Sequence, residues 1–160
     1  MSTLTLDLVT NTMLDRVSDS ELDKEYRKRF FLSAGEELHG AEDAAKHFNM
    51  LFAKDPSREH FGLIYLNGKN DIISSEILFS GTLTTAAVYP REIIRKAIEE
   101  SAGAILVGHN HPSGNRQPSQ DDLSITKKIK AACETVDIVL HDHVIVTSEG
   151  FYSFADNGVL

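Results

Sequence analysis

Tryptophan is absent from this chain of 160 residues, proline occurs four times and cysteine once. The single cysteine, Cys133, excludes an intrachain disulfide and a cysteine-based zinc ribbon, so stability has to come from a packed core. Positive charge is also scarce. Lys and Arg number 16 against 24 Asp and Glu, a formal net charge of −8. Whole-surface attraction to nucleic acid or to an anionic membrane needs the opposite sign, which leaves at most a local basic patch for such a partner. No apolar run approaches the ~20 residues of a spanning helix. The opening MSTLTLDLVTNTML has no early basic residue and no unbroken apolar stretch. The expectation is a reducing, cytoplasmic setting with no membrane partner.

What is present suits one soluble domain with an added arm: 41% hydrophobic and 25% charged residues over this length. Residues 1–40 read as the arm. Its SDSELDKEYRKRFF opens on a cap-like Ser and Asp and places Leu22, Tyr26 and Phe30 on one helical face. Ser33, Gly35 and Gly40 mark a break. GAEDAAKHFNMLFAK follows as a helix with the stripe Ala44, Phe48, Leu51 and Phe52, stopped by Asp55-Pro56-Ser57. HFGLIYLNGKNDIISSEILFSG reads as two strands turned at Asn67-Gly68-Lys69-Asn70. Pro90 opens a helix with Ile93, Ile94, Ala97 and Ile98 inward. AILVGHN is a buried strand. Ser119 starts a helix carrying Leu123, Ile125, Ile129 and Ala132, and Cys133 on it reads as core. DIVLHDHVIVTS and GFYSFADNG supply the last strands. The expected domain, 41–160, is therefore mixed α/β (α+β): a mixed or largely antiparallel sheet flanked by helices.

GHNHPSGNRQPSQDD, residues 108–122, carries the chemistry. On an extended segment His109 and His111 point to the same side, so both imidazoles can converge at a strand end. Imidazole suits zinc, and a catalytic zinc takes three protein ligands with a fourth position for water. Asp121 or Asp122 at the next helix start offers the third. A bland reading competes: Ser119 with Asp122 three residues on resembles a capping box.

HNHPSGNRQPSQDD also resembles the JAMM motif, H-x-H-P, six residues, then S-x-x-D. GLIYLNGKN, FSGTLTTAAVYPREIIRKAI, AILVGHNHPSG and IVLHDHVIV are similar to the bacterial RadC family of that superfamily, over roughly residues 41–160. The resemblance implies a JAB/MPN-like, cytidine-deaminase-like architecture and one zinc held by His109, His111 and Asp122. Ser119 would help polarise a substrate carbonyl or hold the water. Asn110 stands where isopeptide-cleaving members usually have Ser or Thr, as in the RadC branch. The chemistry needs a carboxylate outside the ligand set to take and return a proton. The superfamily places it near the start of the first strand, which selects Glu59, with Glu76 as the alternative and Glu92 a further candidate. His141-Asp142-His143 is a second H-x-H. The RadC pattern has Asp-His here, so Asp142 and His143 are candidates for support behind the ligands and His141 is extra. His39, His47 and His60 carry no assigned role.

The function implied is zinc-dependent hydrolysis of a peptide or isopeptide bond in an unidentified protein substrate. Two other classes stay open. One is a DNA-repair accessory: longer RadC proteins carry a helix-hairpin-helix region before this domain. Here a short arm stands in its place, and PREIIRKA offers a local basic face of Arg91, Arg95 and Lys96. The other is a catalytically silent, metal-containing binding module.

Overall fold

The computed structural model describes residues 17–81 and 88–160, and at 23 and 27–30 the backbone only. MSTLTLDLVTNTML, the Phe30 side chain and the stretch 82–87 of the RadC-like segment lie outside the described residues. Two compact units divide the chain, Met1–Phe31 and Leu32–Leu160. The first holds α1 (Asp19–Phe30). Ser18 caps it: its N–H and hydroxyl donate to Glu21 at 3.0 and 2.7 Å, and the Glu21 N–H donates back to Ser18 at 3.3 Å. Of the stripe read from the sequence, Leu22 and Tyr26 are 48% and 50% exposed.

The second unit runs α2 (Ala41–Phe52), β1 (His60–Leu66), β2 (Ile72–Ser80), α3 (Pro90–Glu99), β3 (Ala104–Asn110), α4 (Gln120–Thr135), β4 (Val139–Thr147) and β5 (Gly150–Ser153). Five strands form one mixed sheet in the order β2-β1-β3-β4-β5. Only β3 and β4 are parallel, joined by α4 as a crossover. The other neighbours are antiparallel. The segment 32–40, expected to close the arm, is tied to this unit instead. The Gly35 N–H donates to the Ile72 carbonyl at 2.8 Å, and the Ile72 N–H donates to that of Glu36 at 2.9 Å. Leu32 and Leu38 pack on the α2 layer.

Alternation along buried strands sends side chains to two cores. Phe61, Leu63, Tyr65, Ile105 and Val107 meet Ile93 and Ala97 of α3 and Ile125, Ile129 and Cys133 of α4. Ile64, Leu66, Leu106, Val144 and Val146 meet Ala44, Phe48 and Phe52 of α2 on the other face. The sheet is thus covered on both sides, which is why β1 and β3 read as unbroken apolar runs. Ile98 departs from expectation: it is 58% exposed, because the short α3 buries only the face carrying Ile93 and Ala97. On α4 the buried residues are Asp122, Ile125, Thr126, Ile129 and Cys133, with Leu123 and Ala132 on the flanks. Burial pushes the Cys133 thiol up to about 11, as befits a core residue.

Candidate metal centre

Phe61 of β1 pairs with His109 near the end of β3, and His109 shares the α3–α4 face with Val107 and Ile105. The chain leaves β3 at Asn110 and turns through Pro112 and Gly114, whose φ of 82° is the left-handed conformation glycine tolerates. It re-enters the fold as α4. There Ser119 and Asp122 form a capping box: the Asp122 N–H donates to the Ser119 hydroxyl oxygen at 3.1 Å, and the Ser119 N–H and O–H both donate to Asp122 Oδ2 at 2.7 Å. Both carboxylate oxygens also face the histidines. Asp122 Oδ1 lies 3.1 Å from His109 Nε2, and Oδ2 lies 3.5 Å from His111 Nε2. The cap and the ligand set are therefore one device. The cap aims the carboxylate.

The remaining ring nitrogens decide what the cluster can hold. Nδ1 of His111 faces the Asn115 carbonyl at 2.7 Å, and a carbonyl only accepts, so that nitrogen carries the proton. Thr126 Oγ1 donates to the Asp122 carbonyl at 2.6 Å, which uses its one proton; it therefore accepts from His143 Nδ1, also at 2.6 Å. Burial and the neighbouring His109 keep His143 well below the usual histidine range, hence neutral, with a lone pair on Nε2. That lone pair accepts from His109 Nδ1 at 2.7 Å. Both ligand candidates thus carry a proton on the far nitrogen, which leaves Nε2 to donate to Asp122 when protonated and to bind a metal when that proton is lost. Their Nε2 atoms, 2.9 Å apart, turn toward Asp122. Burial alone would raise the Asp122 carboxyl, but hydrogen bonds from His109 and His111 outweigh it and hold the group well below the carboxylate range. The bond to Asp122 raises His111, against burial.

Ligand atoms of His109, His111 and Asp122 lie within 4.8 Å of one another, and among the described residues no other such group of three or more His, Cys, Asp or Glu occurs. Two imidazole nitrogens and one carboxylate, all backed by hydrogen bonds, fit a divalent metal with room for a further ligand. Asp121 is exposed at this turn and is not in the cluster, so Asp122 is the residue that completes it.

Glu59 precedes β1 and lines, with His111, Asn115 and Ser119, an open cavity of about 420 Å³ beside these groups. Glu76 is elsewhere. It faces Leu63 across the β1–β2 ladder, accepts from the Tyr65 hydroxyl at 2.7 Å and pairs with Lys96 at 3.2 Å. Glu92 pairs with Arg95 on the surface of α3. Among the carboxylates weighed as bases, only Glu59 lines the cavity. Ser119 lines the cavity too, but its hydroxyl proton is given to Asp122.

The second H-x-H comes apart into three destinations. His141 is exposed, with Nε2 at 2.8 Å from Asn70 Oδ1. Asp142 is buried and accepts from the Ser153 hydroxyl at 2.5 Å, the Ala155 N–H at 2.9 Å and the His143 N–H at 2.7 Å. Its carboxyl is raised by burial, with those bonds opposing. His143 alone joins the centre. Asp142 does not orient the His143 ring, as expected for neighbours on a strand. The ring is held by Thr126, which sequence reasoning missed. The signal was available: Thr126 follows Asp122 by one helical turn. The basic face of α3 is largely neutralised. Arg95 pairs with Glu92 and Glu99, Lys96 with Glu76, and Arg91 stacks over Tyr89 at 4.9 Å. Among the described residues no helix is long and apolar enough to cross a membrane.

Comparison with known proteins adds a family. The model of the RadC-like JAB domain matches residues 38–159. The UPF0758 protein YfjY of Escherichia coli K12 is 41% identical over 117 residues, 73% of each chain. A UPF0758 protein of Xylella fastidiosa strain Temecula1 is 40% identical over 129 residues, 81% of this chain and 57% of its own. One of Chlorobaculum parvum is 40% identical over 134 residues, 84% of this chain and 60% of its own. The chain thus spans little more than half the length of several relatives it matches.

Proposed function

Because the chain belongs to the RadC-like JAB domain family, we propose that it is a zinc-dependent hydrolase of the JAMM type, cleaving a peptide or isopeptide bond of a protein substrate. One observation carries this reading. His109, His111 and Asp122 converge with both Nε2 atoms and the carboxylate inward and the Nδ1 protons held outward, beside a cavity that Glu59 lines. Zinc held by these three residues would supply Lewis-acid chemistry, activating water and polarising a carbonyl. The chain's residues do the rest. Glu59 takes the proton of the attacking water and returns it to the leaving amine. Ser119 orients Asp122, and by turning its hydroxyl from Asp122 it donates to the carbonyl oxygen of the substrate, a bond worth roughly 3 kcal/mol in other hydrolases. His143 and Thr126 fix the face that His109 presents. In this reading the protein works in the cytoplasm, where Cys133 stays a thiol.

The deciding measurement is metal content by mass spectrometry on untagged protein. Wild type carries about one zinc per chain, Asp122→Ala loses it, and His141→Ala keeps it. On a peptide library the zinc-loaded protein cleaves, and Glu59→Gln lowers the rate by roughly a hundredfold or more with zinc retained. A wild type that refuses zinc, or an Asp122→Ala that binds as well, sinks the hydrolase reading. Zinc bound with no cleavage and no effect of Glu59→Gln transfers the case to a binding module.

A further inference from the structure

We infer that Asn110, the residue between the two histidines, is a positioning residue that clasps the backbone on both sides of Glu59. This rests on the reading of Glu59 as the proton carrier. The Asn110 side chain is buried. Its Oδ1 accepts from the His60 N–H at 2.6 Å, and its Nδ2 donates to the Arg58 carbonyl at 2.8 Å and, at 3.5 Å, toward that of Pro56. An N–H meets only an acceptor and a carbonyl only a donor, so the partners themselves fix which way the amide faces. The residue gripped between 58 and 60 is Glu59. The Glu59 carbonyl accepts in turn from the Gly81 N–H at 2.9 Å.

The location explains the device. Strand pairing between β1 and β3 ends at Phe61 and His109. Beyond that pair the backbone of Asn110 goes to β4, opposite Val146. The side chain of Asn110 therefore extends the β1–β3 pairing by one step, from the position that joins His109 to His111. Any displacement of the ligand strand moves the Glu59 backbone with it. Only a carboxamide serves here. Aspartate cannot donate to the Arg58 carbonyl, and a serine hydroxyl has one proton and too short a reach for both partners. The residue between the ligands thus sets where the proton carrier sits without touching substrate.

The test uses the full chain with Asn110→Ala, which loses both halves of the clasp, and the isosteric Asn110→Asp, which keeps the acceptor for the His60 N–H and loses the donor to Arg58. In metal-free protein, amide hydrogen exchange at His60 accelerates roughly tenfold or more in Asn110→Ala, as loss of a buried hydrogen bond requires, and less in Asn110→Asp, whose carboxylate still accepts from that N–H, while Ile129 in the core of α4 is unchanged in both. In zinc-loaded protein the probe is acetohydroxamic acid, which gives up a proton on binding a metal and so reads a nearby carboxylate. Its affinity falls roughly tenfold in Glu59→Gln and by a similar factor in each Asn110 variant. Combining Asn110→Ala with Glu59→Gln adds nothing, and zinc affinity stays close to wild type. A purely structural Asn110 gives faster exchange and wild-type hydroxamate affinity, which overturns the inference and leaves the hydrolase reading intact. If Glu59→Gln itself leaves hydroxamate affinity unchanged, Glu59 is not the proton carrier, and both readings fall together.

Discussion

A histidine becomes a useful metal ligand only when something else takes its other proton. Here that task passes from His109 through His143 to Thr126 and ends on a helical carbonyl. Thr126→Val tests the chain of bonds because valine keeps the shape and removes the acceptor. It leaves His143 Nδ1 without its partner, at a cost of about 1–3 kcal/mol in stability. The His109 ring is then free to turn, and zinc affinity drops by on the order of 10- to 100-fold. Competition against a chelating dye measures it, and wild-type affinity would show that His109 needs no such backing. At this scale the short-range part of the centre was legible. His109 with His111, and Ser119 with Asp122, are fixed by strand and helix periods that sequence displays. The cap did not compete with the ligand; one carboxylate serves both. The role of Asn110 depends on which distant backbone lies opposite; that Thr126 follows Asp122 by one turn was legible, but the ring it holds was not.

At the scale of elements, two features place the centre. The first is a bulge. Ile105 pairs with Leu140 but Leu106 pairs with Asp142, so His141 is an extra residue in β4. If His141 were instead an ordinary ladder residue, strict alternation from Leu140 would send His143 to the α2 face and Asp142 toward His109. This is why periodicity located β4 correctly yet left the second H-x-H ambiguous: a one-residue insertion has no signature in an apolar run. The second is a cross-strand pair of glycines, Gly62 opposite Gly108. A Cβ on Gly108 would meet Phe48 Cδ2 at 2.5 Å, and one on Gly62 would meet Leu51 Cδ2 and Phe52 Cε1 at 3.0 Å. The bare backbone lets α2 lie close on the sheet. Gly108→Ala has to push the Phe48 ring or the helix away, which costs about 1–3 kcal/mol or more as overpacking. Since residue 108 precedes His109, the shift also reaches the centre. Urea unfolding with and without zinc separates the two effects. Loss of stability in both conditions with weakened zinc binding is expected, and an unchanged midpoint would mean that α2 yields freely.

For the whole molecule the question is how acid acts on a chain whose net charge is −8 and whose α3 cations are mostly paired. Two buried histidines set the answer. His47, on α2 with Nε2 at 2.8 Å from Ser75 Oγ, is pushed by burial down to about 4. Its unfolded value is near 6.5. Between those values the unfolded chain binds a proton that the folded chain refuses, so stability rises with pH there. The contribution is complete above pH ~6.5, is lost progressively as pH falls toward 4, and changes no further below that. The size is about 3 kcal/mol at most for His47, and neutral His143 adds to it with the same sign. His111 runs the other way, since its bond to Asp122 favours the protonated ring and stabilises at low pH. The His47 share is isolated by comparing wild type with His47→Gln, whose amide can still reach Ser75. Urea unfolding of the metal-free protein at pH 7.5 and 4.5 should show wild type losing about 2.5 kcal/mol more than the variant over that interval. Parallel losses in the two proteins would mean that His47 accepts its proton inside the fold, and that the acid sensitivity of the domain lies at the metal centre instead.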